Sequence, residues 1–330
     1  MAIKVGINGF GRIGRYFTRM ALQNKGIEII AINDLAPVKT LAHLLKYDSI
    51  HGRFNGTIST TENDIVANGH SIRITSHKNP GDIPWKDLGV DIVVESSGFF
   101  LTRELASPHL TAGAKKVILS APPDSQDIKA IVMGVNDSIL DGTENIISNA
   151  SCTTNSAAPL VAVMKKLGKI ESCYITTVHS YTTDQKLHDA PHKDLRRARA
   201  AAVSIVPTST GAAKAITKIF PELEGFMGGC GLRIPVPDGS LTDMTFNMDR
   251  ELTVKDINNA FKNAAENELK GILDYTMDPI VSVDIVGSPF SSTFDSDLTS
   301  TIGKMCKVVS WYDNEAGYSN RLVDLILKVG

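Results

Sequence analysis

The stretch that most constrains the fold is Gly9-Phe10-Gly11-Arg12-Ile13-Gly14, which follows directly on the buried-strand pattern Ile3-Lys4-Val5-Gly6-Ile7-Asn8. Glycines at that spacing close a tight turn, let backbone approach a pyrophosphate, and allow the next helix to lie close on the sheet. A helical pattern runs from residue 12 to about residue 23, and Ile27–Asn33 reads as a second strand. Asp34 stands at the end of that strand, twenty residues beyond Gly14. A carboxylate there accepts hydrogen bonds from adenosine ribose hydroxyls and repels a 2′-phosphate. Residues 90–94 and 116–120 extend the sheet as buried strands, with further strands near 130–133 and 145–148. Residues 66–75 read as a hairpin turning at Asn68-Gly69, and residues 102–112 as a helix. The expectation is a doubly wound, dinucleotide-binding α/β (Rossmann) domain.

A second constraint is Ser148-Asn149-Ala150-Ser151-Cys152-Thr153-Thr154-Asn155, with a strand pattern before it and a helical one after it. Pro159 suits a first-turn position, and Leu160, Val161, Val163, Met164 and Leu167 carry the apolar spacing. Cys152 therefore stands at a helix start, where backbone N–H groups and the helix dipole favour an anion. A thiol of ordinary pKa near 8.5 needs roughly 2 kcal/mol of differential stabilisation to be half ionised at pH 7. A helix start supplies only ~0.3–1 kcal/mol, so a partner is required. The helix carries the chain ~24 Å away, and the strand pattern of residues 172–179 returns it by ~26 Å. That brings His179 back to the level of Cys152. Of the other histidines, His70 and His77 sit in turn-like surroundings, His188 and His192 in a charged loop, and His43, His51 and His109 in the first half.

Downstream, residues 181–202 form a long basic stretch with Arg196, Arg197 and Arg199. It is either a solvated surface or a loop whose arginines meet phosphate while it packs on another subunit. Thr208-Ser209-Thr210-Gly211 opens a further helix suited to an anion. Arg233 interrupts an apolar strand and needs either an acidic partner or a bound anion. Strand patterns near residues 241–248, 281–286 and 304–311, with a helix near 254–269, predict an α+β domain with a largely antiparallel sheet. A last helix, near residues 316–328, has the spacing of a docking element. The net charge of −2 gives no attraction to nucleic acid or anionic membrane. No apolar run approaches a membrane helix, and the amino-terminal residues do not read as a signal peptide. Four scattered cysteines form neither a disulfide scaffold nor a metal site, and point to a reducing cytosol.

These stretches, with Thr177-Val178-His179, Asp194-Leu195-Arg196-Arg197-Ala198-Arg199, residues 209–214 and residues 310–320, resemble the phosphorylating glyceraldehyde-3-phosphate dehydrogenase family over essentially the whole chain. The resemblance implies an NAD-binding domain of residues 1–151 and 316–330 and a catalytic domain of residues 152–315. It implies a glycolytic, cytoplasmic homotetramer acting on glyceraldehyde 3-phosphate and inorganic phosphate, with Cys152 as nucleophile and His179 as its base. Gly9, Gly11, Arg12, Ile13, Asp34, Lys78 and Ser120 would contact NAD, and Asn314 and Tyr318 would orient its nicotinamide. Thr182 and Arg233 would hold the substrate's phosphate, and Ser151, Thr153, Arg197, Thr210 and Gly211 the attacking one. No metal is implied. Erythrose-4-phosphate dehydrogenase, a sister activity on the same scaffold, is one alternative, and a non-enzymatic nucleotide-responsive protein another. Two departures from the usual pattern stand out: Ser156 replaces a second cysteine, and Asp238 stands where many relatives carry asparagine.

Overall fold

Ile3–Asn8 is buried along most of its length and lies inside an eight-stranded sheet, which the computed structural model, describing residues 1–330, shows in full. The strand order is Ile146–Ser148, Lys116–Leu119, Ile92–Glu95, Ile3–Asn8, Ile27–Asn33, His70–Thr75, Asp64–Ala67 and Ile58–Thr60. The first six strands run parallel, and the last two fold back as antiparallel hairpins. The chain leaves Ile3–Asn8 to one side for Ile27–Asn33 and later pairs Ile92–Glu95 on its other side. The crevice at this switch point, beyond the carboxyl ends of the strands, is where such sheets take ligands. Helix Arg12–Ala21 starts there, and a Cβ at Gly14 would come within 2.4 Å of the Gly9 carbonyl oxygen. Only glycine allows that approach. This sheet belongs to a compact unit formed by Met1–Met133, Asp137–Ser151 and Ser319–Gly330.

The second unit, Gly134–Asn136 with Cys152–Tyr318, is built on a seven-stranded sheet. Its order is Val206–Thr208, Met227–Ile234, Ile170–Ser180, Ser240–Met248, Met305–Tyr312, Ser292–Ile302 and Leu273–Thr276. Two of the six pairings are parallel and four antiparallel, as the expected α+β class requires. Helices Ala212–Ile219 and Val254–Glu266 both pack against helix Cys152–Leu167, and all three lie on the sheet. Phe261 stacks on Phe294 at 3.9 Å between ring centroids, joining the last of these helices to the sheet core. The helix Ala316–Val329 begins in this unit, and its residues from Ser319 onward belong to the first.

Three local expectations are corrected. Residues 281–286 form no strand; Ser282–Ile285 is a 3-10 turn, with the Val281 N–H donating to Asp284 Oδ2 at 2.8 Å. Val281 and Val283 point into solvent, so the alternation that suggested a strand has no sheet to cover. Residues 130–133 make a single bridge, Ala130 to Ser148, rather than a strand. Pro159 sits in the middle of helix Cys152–Leu167, not in its first turn, because the helix begins at Cys152 itself. The proline costs one backbone hydrogen bond, which burial of residues on both sides offsets.

Candidate active site

In the first unit, Gly9 has φ +92°, a left-handed conformation that favours glycine, and a Cβ there would meet the Ser97 backbone at 2.6 Å. Gly11 caps the following helix in an extended conformation and has nothing within 4 Å of where a Cβ would stand. Arg12 and Ile13 supply the first helical N–H groups, while the Arg12 guanidinium forms a two-point ion pair with Asp48 at 2.7 and 3.1 Å. The Asp34 carboxylate accepts from the Phe10 N–H at 2.8 Å and from the Ala36 N–H at 2.9 Å, which fixes its direction beside the glycine turn. Lys78 is exposed beyond strand His70–Thr75, and half-buried Ser120 and Ser151 follow the ends of their strands. A pyrophosphate at the helix start and a ribose at the carboxylate fit this donor and acceptor set.

In the second unit, the sixteen-residue helix Cys152–Leu167 and the strand Ile170–Ser180 bring Cys152 Sγ and His179 Nε2 to 3.4 Å. Register in the parallel pair Ile170–Ser180 with Met227–Ile234 sets Arg233 beside His179. Arg233 Nη1 contacts His179 Nδ1 and donates to the Ser180 carbonyl at 3.0 Å, and His179 Nδ1 lies 2.7 Å from the same carbonyl. When Nδ1–H donates to that carbonyl, Nε2 keeps its lone pair toward the sulfur. Burial pushes the Cys152 thiol up, with the Arg233 charge opposing, and burial together with Arg233 pushes His179 down to about 3. Neither charge is comfortable alone. Formed together at 3.4 Å, thiolate and imidazolium attract by about 5 kcal/mol at an effective dielectric of ~20, so the two groups titrate as a pair.

Tyr312 supports the pair from below. Its ring meets the imidazole edge-on at 5.9 Å, and its hydroxyl lies 2.9 Å from both Thr153 Oγ1 and Thr177 Oγ1. Burial raises that phenol further, so it remains a neutral bridge. Ser156 Oγ sits in a buried hydroxyl cluster, 3.0 Å from Thr242 and 3.4 Å from Ser292 and Ser310. Asn314 Oδ1 accepts from Ser180 Oγ and Ser240 Oγ, each at 2.8 Å, which leaves the amide nitrogen as the donor end. Tyr318, four residues on, is buried.

The remaining anion candidates gather around Arg197. Its Nη1 is 2.7 Å from Asp184 and its Nε 3.0 Å from Thr208, while the Thr182 hydroxyl also donates to Asp184. Thr210 Oγ1 accepts from the Ala212 N–H at 3.2 Å at the start of helix Ala212–Ile219, which Gly211 caps. Arg233 has no carboxylate in direct contact; its charge feels Asp184 and Cys152 at longer range. Sequence reasoning missed Asp184, Tyr312 and Ser240. Each acts through neighbours brought in by strand pairing or loop closure, which residue spacing does not encode.

Asp238, without a physical account from sequence, acquires one. It is buried, and burial with the carboxylates of Asp313 and Glu315 pushes its carboxyl up to about 9. It therefore carries a proton at neutral pH and shares a hydrogen bond with Asp313, whose oxygens accept from Gly287, Glu315 and Ala316 N–H groups. An asparagine amide would present a donor in the same place without needing that proton.

A dinucleotide-type glycine turn in one unit and a thiol–imidazole pair beside a half-buried arginine in the other define a cysteine-dependent dehydrogenase of the dinucleotide-binding class. Residues 3–103 match the family model "Glyceraldehyde 3-phosphate dehydrogenase, NAD binding domain", and residues 151–314 the corresponding C-terminal domain. The glyceraldehyde-3-phosphate dehydrogenase of Geobacillus stearothermophilus is 55% identical across 98% of this chain and 97% of its own. That of Mycobacterium avium is 56% identical across 100% and 99%. The chain belongs to the glyceraldehyde-3-phosphate dehydrogenase family.

The Asp238 environment yields a pH prediction. The folded chain holds a proton at Asp238 that the unfolded chain loses near pH 4, so stability from this group falls as pH rises between about 4 and 9. The slope for one such group is about 1.4 kcal/mol per pH unit. Asp238→Asn should be more stable than the parent at neutral pH, with a gap that widens from pH 6 to pH 8. Urea denaturation at each pH checks it; parallel stability curves would contradict the assignment.

Proposed function

We propose that this chain catalyses NAD-dependent oxidative phosphorylation of D-glyceraldehyde 3-phosphate to 1,3-bisphosphoglycerate. The observation that carries the reading is the 3.4 Å contact between Cys152 Sγ and His179 Nε2. The thiol proton moves to Nε2, and the Cys152 sulfur attacks the aldehyde carbon. The helix start at Cys152 and the imidazolium stabilise the developing oxyanion. The imidazolium gives its Nε2 proton to that oxygen, completing the thiohemiacetal, and the neutral imidazole takes the hydroxyl proton back as hydride leaves that carbon, which creates a thioester on Cys152. NAD, when bound, supplies the hydride acceptor. Inorganic phosphate attacks the thioester carbon, the acyl–sulfur bond breaks, and the Cys152 thiolate returns as the acyl phosphate departs.

Arg233 and Thr182 hold the substrate's phosphate in this reading; the partly compensated guanidinium beside His179 supports it. Ser151, Thr153, Arg197, Thr210 and Gly211 receive the attacking phosphate. Gly9, Gly11, the main chain of Arg12 and Ile13, Asp34, Lys78 and Ser120 hold the cofactor, with Asn314 and Tyr318 toward its nicotinamide. The residues 1–151 and 316–330 form the cofactor domain in this assignment, and 152–315 the catalytic one. A homotetramer fits the apolar residues Leu187, Leu195, Val203 and Ile205, all strongly exposed on one long loop of the single chain. The four cysteines are free, in keeping with a reducing cytoplasm, and no helix is long and apolar enough to cross a membrane.

NADH formation, followed by the absorbance of the reduced nicotinamide, should require glyceraldehyde 3-phosphate, NAD and phosphate together. Cys152→Ser should lower kcat by at least ~10³-fold while NAD still binds. Equal turnover of erythrose 4-phosphate, or NADH formation indifferent to phosphate, would contradict the assignment.

Cofactor choice gives a second outcome. Asp34 directs its carboxylate at the ribose end of the turn, so kcat/KM should strongly favour NAD over NADP. Asp34→Ala should narrow that ratio at least about tenfold by removing a repulsion of roughly 1.4 kcal/mol. Comparable efficiencies with the two cofactors in the parent protein would refute the role.

A further inference from the structure

Four neighbouring strands of the first sheet carry polar residues at one level of their carboxyl edge. Register aligns Glu95 with Asn8, Asn8 with Asn33, and Asn33 with Thr75. Glu95, Asn8 and Asn33 are 1%, 4% and 3% exposed, polar groups set among the buried valines and isoleucines of the sheet. Their hydrogen bonds have a direction. Thr75 Oγ1 donates to Asn33 Oδ1 at 2.9 Å, Asn33 Nδ2 to Asn8 Oδ1 at 2.8 Å, and Asn8 Nδ2 to Glu95 Oε2 at 2.6 Å. A second branch reaches Glu95 from the opposite side. The Trp85 indole N–H donates to His109 Nδ1 at 3.0 Å, and His109 Nε2 lies 3.0 Å from Glu95 Oε2. An indole nitrogen can only donate, so His109 Nδ1 must accept and Nε2 must carry the proton toward Glu95. Trp85 and His109 are both fully buried.

Both branches end on Glu95, and the other carboxylate oxygen faces the cofactor turn. Glu95 Oε1 accepts from the Ser97 N–H at 2.8 Å and from the Ser97 hydroxyl. Ser96 in turn donates its N–H to the Asn8 carbonyl at 2.8 Å and its hydroxyl to the Gly9 carbonyl at 2.6 Å. The Ser97 backbone lies so close to Gly9 that a Cβ could not be placed between them. On the far side, the Gly9 N–H donates to the Asn33 carbonyl and the Phe10 N–H to Asp34. The glycine turn is thus held between two walls, and one carboxylate sets the position of the wall formed by Ser96 and Ser97.

We propose that Glu95, oriented by Asn8, His109 and Trp85, is a positioning residue for the dinucleotide: it fixes the Ser96-Ser97 backbone against Gly9 and so sets the shape of the pyrophosphate cradle. The inference rests on the reading of NAD at that turn. The network joins the core residue Trp85, packed among Ile83, Val90, Val93 and Ala114, to the cofactor edge through His109.

Glu95→Gln tests it. A glutamine keeps the volume but turns one acceptor oxygen into an N–H₂ group, which must face a donor from Ser97 or from His109 and Asn8. NAD affinity measured by calorimetry should weaken about tenfold, the size of one lost hydrogen bond to a charged group. The kcat at saturating NAD, KM for glyceraldehyde 3-phosphate and the Cys152 alkylation rate should stay within about twofold. Trp85→Phe removes only the indole donor and should weaken NAD binding by about two- to threefold. A folded Glu95→Gln protein with parental NAD affinity, even if its melting temperature falls, would overturn the proposal. If Glu95→Gln does not fold, unchanged affinity in Trp85→Phe overturns it instead. Failure of the parent protein to bind NAD would refute the cofactor reading itself, a distinct result.

Discussion

The contact between Cys152 Sγ and His179 Nε2 is the interaction on which the second unit depends. Two elements of matched reach produce it: a helix that starts on the cysteine and a strand that ends one residue after the histidine. Burial makes each charge costly alone, so chemistry at this site must create both at once. The surroundings fit that demand. Ser180 offers its carbonyl to the outer imidazole nitrogen, Tyr312 packs edge-on against the ring, and Arg233 lies within electrostatic reach of the sulfur. A cation beside the pair favours thiolate and disfavours imidazolium, which leaves the proton's position sensitive to whatever anion meets that arginine.

Buried carboxyl groups recur at the structural joints, and they are handled in two ways. Glu95 meets four donors from Asn8, His109 and Ser97, close to the full capacity of a carboxylate. Asp238 lies near Asp313 and Glu315 instead, and its carboxyl is driven far up. Asp313 meanwhile accepts three backbone N–H groups, two of them at the start of helix Ala316–Val329. The departure from asparagine at position 238 thus exchanges an amide donor for a proton-dependent one.

Much of this was legible in the sequence where the information is local. The glycine turn, Asp34 and the strand–helix–strand around it follow from spacing, and the out-and-back lengths alone place His179 near Cys152. The resemblance read from six separated motifs holds across the whole chain. Long-range pairing was not legible. Arg233 reaches His179 only because two strands fifty-four residues apart run parallel in a fixed register. The strand Ser292–Ile302 has no apolar period, since Ser292, Thr293, Asp295 and Ser296 are buried as polar groups. Its hydroxyl at Ser292 meets Ser156, which also reaches Thr242 and Ser310 on two other strands, and no single segment announces that cluster. Residues 281–286 mislead in the opposite sense, for their valines alternate like a strand while facing water.

The most direct test of the central claim is the pH dependence of iodoacetamide alkylation at Cys152, compared between the parent protein and His179→Asn. A shared proton predicts that the parent reacts readily at pH 7, with a midpoint below the ordinary thiol value of about 8.5. Removing the imidazole leaves burial unopposed by an ion pair, so the variant's midpoint should move above that value and its rate at pH 7 should fall at least about tenfold. Coincident profiles for the two proteins would contradict the account.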